Sequence, residues 1–151
     1  VAYLLPILPR EPALAATADR NENFMMVTAE VSNINNAPGV FVLDFLTGRL
    51  TGACLDVQTK TRFDRFFARQ IAADFNVDPK QKATYSMVSG RATIPNTGRA
   101  QWGNAVIYVG EMSSGKVMAY KIPFYLTARG QTAAPLVPIH FFAFRGAEAK
   151  D

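Results

Sequence analysis

The chain has a single cysteine and a single histidine, and each scarcity excludes chemistry. Cys54 alone forms neither an intramolecular disulfide nor a cysteine-based metal cluster. His140 is distant in sequence and no Cys-His signature surrounds either residue, so the thiol reads as a small buried apolar side chain in a strand. Zinc would need a second imidazole that the chain lacks. Nucleotide and hydrolase signatures are missing too: no G-x-x-x-x-G-K-[ST] loop, no G-x-S-x-G elbow and no H-E-x-x-H helix. No catalytic residue, metal ligand or cofactor is expected, and the chain is read as a non-enzyme.

Strong charge is also absent. Sixteen Lys and Arg against twelve Asp and Glu leave a net +4 spread along the chain. Nucleic-acid binding needs basic residues clustered on one face, so it is disfavoured, although Phe41, Tyr108 and Tyr120 with neighbouring arginines would make a stacking surface if they shared an open sheet face. No apolar run reaches the ~20 residues of a membrane-spanning helix.

What is abundant is apolar and aromatic mass. Hydrophobic residues are 49% and charged ones 19%, with eleven Phe and five Tyr, the composition of a packed domain with apolar surface to lend. Residues 1–20 form an apolar, Pro/Ala-rich arm opening VAYLLPILPREP, and residues 21–151 a single domain. Pro6 and Pro9 keep the arm from being a helix of any length. Its Tyr3, Leu4, Leu5, Ile7 and Leu8 are candidate contact residues for its own sheet, for a neighbour or for lipid, or the outer end of a longer anchor if the chain extends ahead of Val1. Ala13-Leu14-Ala15 matches the small-x-small pattern that signal peptidases accept and matches a small-residue linker equally well; the first of these readings points to export.

The domain repeats itself. FMMVTAEV (24–31) aligns with YSMVSGRA (85–92), and APGVFVLDFLTGRLTGACL (37–55) with GNAVIYVGEMSSGKVMAYKI (103–122), setting Phe41 on Tyr108 and Gly48 on Gly115. Each copy, about 24–58 and 84–124, reads as a three-stranded antiparallel meander. The shared acid-x-x-x-Gly-base pattern places Asp44, Gly48, Glu111 and Gly115 in hairpin connections: the glycine supplies the positive φ of a type I turn with a G1 bulge, and the acid accepts backbone N–H groups. A catalytic carboxylate pair, Asp44 with Glu111, is the competing reading and would require the two turns to converge.

Between the copies, about 61–76, Phe63, Phe66, Phe67, Ile71 and Phe75 follow the spacing of one helical stripe, and the spacing predicts a bridging helix. Arg62, Arg65 and Arg69 would share its other side as a solvated face or an anion-binding stripe. LVPIHFFAFRG then reads as a C-terminal strand that Pro138 starts at an edge. VFVLDF, VIYVG and IHFFAF are apolar at consecutive positions, so both faces are expected to be covered, by a second layer, by barrel closure or by a subunit. The fold class is mainly β (α+β): an antiparallel sheet built from the two three-stranded meanders, with the bridging helix and the C-terminal strand.

VFVLDFLTGRL is similar to the hairpin of a quinoprotein-like propeller blade, with an apolar strand, an Asp, a Thr-Gly and a base. The longer combination of Met26 to Glu30, Leu43 to Gly48 and Tyr108 to Gly115 resembles planctomycete-type envelope proteins, which join a signal or anchor to a small repeated β domain. That resemblance spans roughly residues 20 to 125. It implies an envelope location and brings no catalytic residues; Ala29 stands where a glycine is expected, while Gly90 keeps it in the second copy. The expectation is a structural or assembly subunit, homo-oligomeric or part of a larger complex, in the cell envelope or outside the cell, with possible membrane proximity through the arm. The alternative is a binding module for an anionic polymer or small ligand.

Overall fold

The computed structural model describes residues 18–32, 37–78, 80–96, 98–124 and 132–145. The arm residues Tyr3, Leu4, Leu5, Ile7 and Leu8 lie outside the described residues. The strands in chain order are β1 (Ala18–Arg20), β2 (Phe24–Ser32), β3 (Ala37–Asp44), β4 (Arg49–Leu55) and β5 (Phe63–Gln70). After a 3-10 turn at Ile71–Phe75 come β6 (Tyr85–Arg91), β7 (Trp102–Glu111), β8 (Lys116–Pro123), β9 (Ala134–Pro135) and β10 (Val137–Ala143). Sheet A has the order β1-β2-β3-β4-β5-β9, antiparallel except for the parallel β5-β9 pair, and sheet B the antiparallel order β10-β8-β7-β6. The protein is mainly β. The consecutive hairpins β2-β3-β4 and β6-β7-β8 do not share one antiparallel sheet as expected but lie in two sheets stacked face to face, because each meander has one apolar face to bury against the other.

Alternation explains the stacking. In β3, Phe41 and Leu43 point inward and are fully buried while Val40 and Val42 are half-buried on the other side; in β7, Ile107 and Val109 are buried while Tyr108 is exposed. The inward residues of both sheets form one core, with Val27, Phe41, Leu43, Leu50 and Phe67 from sheet A meeting Met87, Ile107, Val109, Tyr120 and Ile122 from sheet B. Each such side chain contributes about 1.5–3 kcal/mol by leaving water. At one corner the sheets come so close that a Cβ on Gly103 would lie 2.6 Å from the Val31 carbonyl oxygen, so only glycine fits there.

The expected helix at about 61–76 is not formed. Phe63–Gln70 is a strand paired with β4, with Gly52 opposite Phe67, and only Ile71–Phe75 coils, as a single 3-10 turn. The aromatic residues that fit a helical stripe are also strong strand formers, and pairing with β4 decides between them. Arg65 and Phe67 thereby face inward, where the Phe67 ring packs against Phe41 with centroids 5.8 Å apart. The second sheet supplies the cover expected on one side of the strands. The outer face of sheet B has no such layer among the described residues.

Candidate functional site: an open apolar groove on sheet B

The two hairpin turns are built alike. Asp44 pairs with Arg49 and Glu111 with Lys116, which leaves four residues in each loop, one more than the G1-bulge form. The Gly48 N–H donates to the Asp44 carbonyl at 2.8 Å and the Gly115 N–H to the Glu111 carbonyl at 3.0 Å, with φ of +70° and +65°. The Asp44 carboxylate accepts the Leu46 N–H at 2.9 Å, whereas Glu111 accepts the N–H groups of Ser113 at 2.9 Å and Ser114 at 2.7 Å together with the Ser113 hydroxyl. Burial pushes the Glu111 carboxyl up, but these four donor contacts outweigh it and hold the group below the usual carboxylate range. Both acids therefore act within their own turns.

Each turn glycine also seats the segment that follows its meander. Ile71 and Ala72 donate to the Gly48 carbonyl at 2.9 and 3.3 Å, and Phe144 donates to the Gly115 carbonyl at 2.7 Å. Arg145 closes the second turn by donating to the Met112 carbonyl at 2.7 Å.

The arginines are dispersed by the strand. Arg62 is exposed ahead of β5; Arg65 is buried, its guanidinium 4.5 Å from the centre of the Phe124 ring; Arg69 grips Asp74 through two bonds of 2.8 and 2.9 Å and donates to the Leu136 carbonyl. Tyr120 donates to the same Asp74 at 2.8 Å, and burial together with that bond raises its hydroxyl far above the ordinary tyrosine value. These three arginines do not share an exposed face. Nor do Phe41, Tyr108 and Tyr120 form a stacking platform, because Phe41 and Tyr120 are in the core.

Cys54 is fully buried in β4, and desolvation pushes its thiol up to about 11. Among the described residues no three of His, Cys, Asp and Glu come together as a metal site requires, and no helix is long and apolar enough to cross a membrane.

The concave feature lies instead on the outer face of sheet B. A groove of about 460 Å³, open on one side, runs over Ser86, Gly110 and Val117, which are neighbours in one cross-strand row. Val88, Tyr108, Met112 and Phe144 wall it with exposed apolar side chains, and Arg20 supplies a charge at one end. Gly110 forms the floor: a Cβ there would meet nothing closer than Val117 at 3.6 Å, so it is the absent side chain that leaves the space. Arg20 is anchored over the Phe45 ring and donates to the Tyr85 carbonyl at 3.4 Å, which ties β1 to the edge of β6. The sequence signal for the groove was the consecutive apolarity of VIYVG and IHFFAF; what it could not supply was which face stays open.

Fold and groove together define a two-sheet, mainly antiparallel β protein with an open apolar groove on one sheet face. Comparison with protein-family models, with curated proteins and with solved structures gives no match for the chain.

Proposed function

We propose that the protein is a non-enzymatic assembly subunit of a cell-envelope or extracellular complex or fibre, in which the apolar arm of one copy lies on sheet B of the next. The observation that carries this reading is the row of exposed apolar side chains, Val88, Tyr108, Met112 and Phe144, around an open groove. Contiguous exposed apolar side chains of this kind mark interaction surfaces. The arm offers the matching chemistry in Tyr3, Leu4, Leu5, Ile7 and Leu8. Burying five such side chains is worth roughly 8–15 kcal/mol, enough to offset much of the roughly 4–15 kcal/mol lost on association.

β1, which follows the arm in sequence, lies close to the groove. Met25 lies by Met87, Thr28 by Ser89 and Glu30 by Arg91, so β2 and β6 run the same way. β1 is antiparallel to β2, with Arg20 opposite Met25 and Ala18 opposite Val27. β1 therefore runs beside the groove, with Arg20 level with Met87 and Ala18 level with Val88. Export is supported by the small-x-small segment after the apolar arm, and the envelope by the resemblance of the hairpin segments.

Native mass measured on the full chain and on a version lacking residues 1–12 tests this reading. The expected result is an assembly that becomes smaller on truncation. A mass unchanged by truncation contradicts it and leaves the groove to a small apolar ligand.

A further inference from the structure

Among the described residues the two sheets have four edges, and three are blunted in the ways natural sheets use to avoid pairing with other chains. β1 is three residues long and carries Asp19 and Arg20; β9 is two residues long and contains Pro135. The edge of β6 is occupied by β2: the Met87 N–H donates to the Met25 sulfur at 3.2 Å, the Ser89 hydroxyl donates to the Thr28 carbonyl at 2.6 Å, and Arg91 pairs with Glu30 at 3.1 Å.

β10 is the exception. Its seven residues, VPIHFFA, carry no Lys, Arg, Asp or Glu. The Phe144 N–H points toward the second turn, donating to the Gly115 carbonyl, and backbone alternation then turns the N–H and C=O groups of Phe141 and Ala143 away from β8. Pro138 and the register shift between Pro138 and His140 disturb only the first half of the strand. Around the second half, Ile139 is 45% exposed, Phe141 47%, Phe142 60% and Phe144 47%.

We infer that β10 pairs antiparallel with β10 of a second copy, joining two four-stranded sheets B into one continuous sheet. An uncharged strand is its own complement under a twofold axis, because no like charges are brought face to face and the same free backbone groups are offered by both copies. The exposed area is also sufficient. At these exposures the three phenylalanines leave about 300 Å² uncovered on each copy. With Ile139, His140 and the strand edge added, the two copies together remove on the order of 1,000 Å², where specific interfaces begin. The inference rests on the reading of the protein as an assembly subunit and uses a strand edge that meets the groove assigned to the arm at Phe144.

Amide exchange on the full chain tests it, read residue by residue across a dilution series, beside sedimentation of the full-length Phe142→Lys variant. Phe142 is exposed and its substitution leaves the core untouched. The expected result is that the Phe141 and Ala143 amides are protected at high concentration and lose at least tenfold in protection on dilution, while the Phe142 amide facing β8 stays protected. Phe142→Lys should halve the mass of the associated species. Unprotected Phe141 and Ala143 amides in an associated chain would overturn the inference, as would protection that survives dilution to monomers, which would mean the chain covers its own edge. Should Phe142→Lys fail to fold, the exchange pattern of the unmodified chain still decides. Failure of the arm contact shows up separately, as a mass indifferent to removal of residues 1–12.

Discussion

Replacing Glu111 by glutamine separates a turn-forming carboxylate from a catalytic one. The side chain is buried and receives the N–H groups of Ser113 and Ser114, one on each oxygen. A glutamine keeps one oxygen and turns an amide NH₂ toward the other N–H, so one charge-assisted bond is lost and one backbone donor is left facing a donor. Bonds to charged groups contribute about 1.5–3 kcal/mol, and the partial exposure of the serines argues for the lower part of that range, about 2 kcal/mol at pH 7. With a urea slope of about 2 kcal/mol/M, the unfolding midpoint should fall by about 1 M. The pH dependence has a definite sign. Because the folded Glu111 carboxyl titrates below its unfolded value of about 4.3, its stabilisation is complete above that pH and is lost as pH falls through the folded value. The gap between wild type and Glu111→Gln should therefore shrink in urea titrations at pH 3. Asp44→Asn is the control: Asp44 accepts one N–H through one oxygen, which asparagine can do equally well, so the midpoint should move little. Equal midpoints for wild type and Glu111→Gln at pH 7, or a gap unchanged at pH 3, would refute the assignment.

Gly48→Ala should destabilise by about 2–4 kcal/mol in thermal or urea unfolding, since the new Cβ meets the Ala72 Cβ at 2.5 Å on a backbone with φ of +70°. Asp74→Ala should cost about 2–3 kcal/mol by the same assays, because it removes the two bonds to Arg69 and leaves the buried Tyr120 hydroxyl without its carboxylate. The Cys54 thiol, fully buried and raised to about 11, should resist a disulfide reagent at pH 8 until denaturant is added, when it should react at once.

The hairpin turns were legible because their determinants are local: an acid, a positive-φ glycine and a base within six residues specify the turn wherever the strands go. The burial of Cys54 followed from its apolar neighbours in a strand-like run. Residues 61–76 were misread because Phe63, Phe66 and Phe67 satisfy a helical period while being strong strand formers, and the arbiter is pairing with β4, a contact that the segment itself does not encode. The same error carried the arginines with it. A helix would have gathered Arg62, Arg65 and Arg69 on one face, whereas the strand buries Arg65, hands Arg69 to Asp74 and leaves Arg62 in solvent. The groove and the β10 edge were half legible. Their apolar residues stood out, but whether a sheet face or edge is covered depends on the other sheet, and sheet A covers only the inner side of sheet B.

The most direct test of assembly through the arm is sedimentation of the full chain beside the chain lacking residues 1–12, at matched concentrations with and without mild detergent. The account predicts a large species for the full chain and, on truncation, a fall to the pair joined through β10. A monomer in every condition would contradict it.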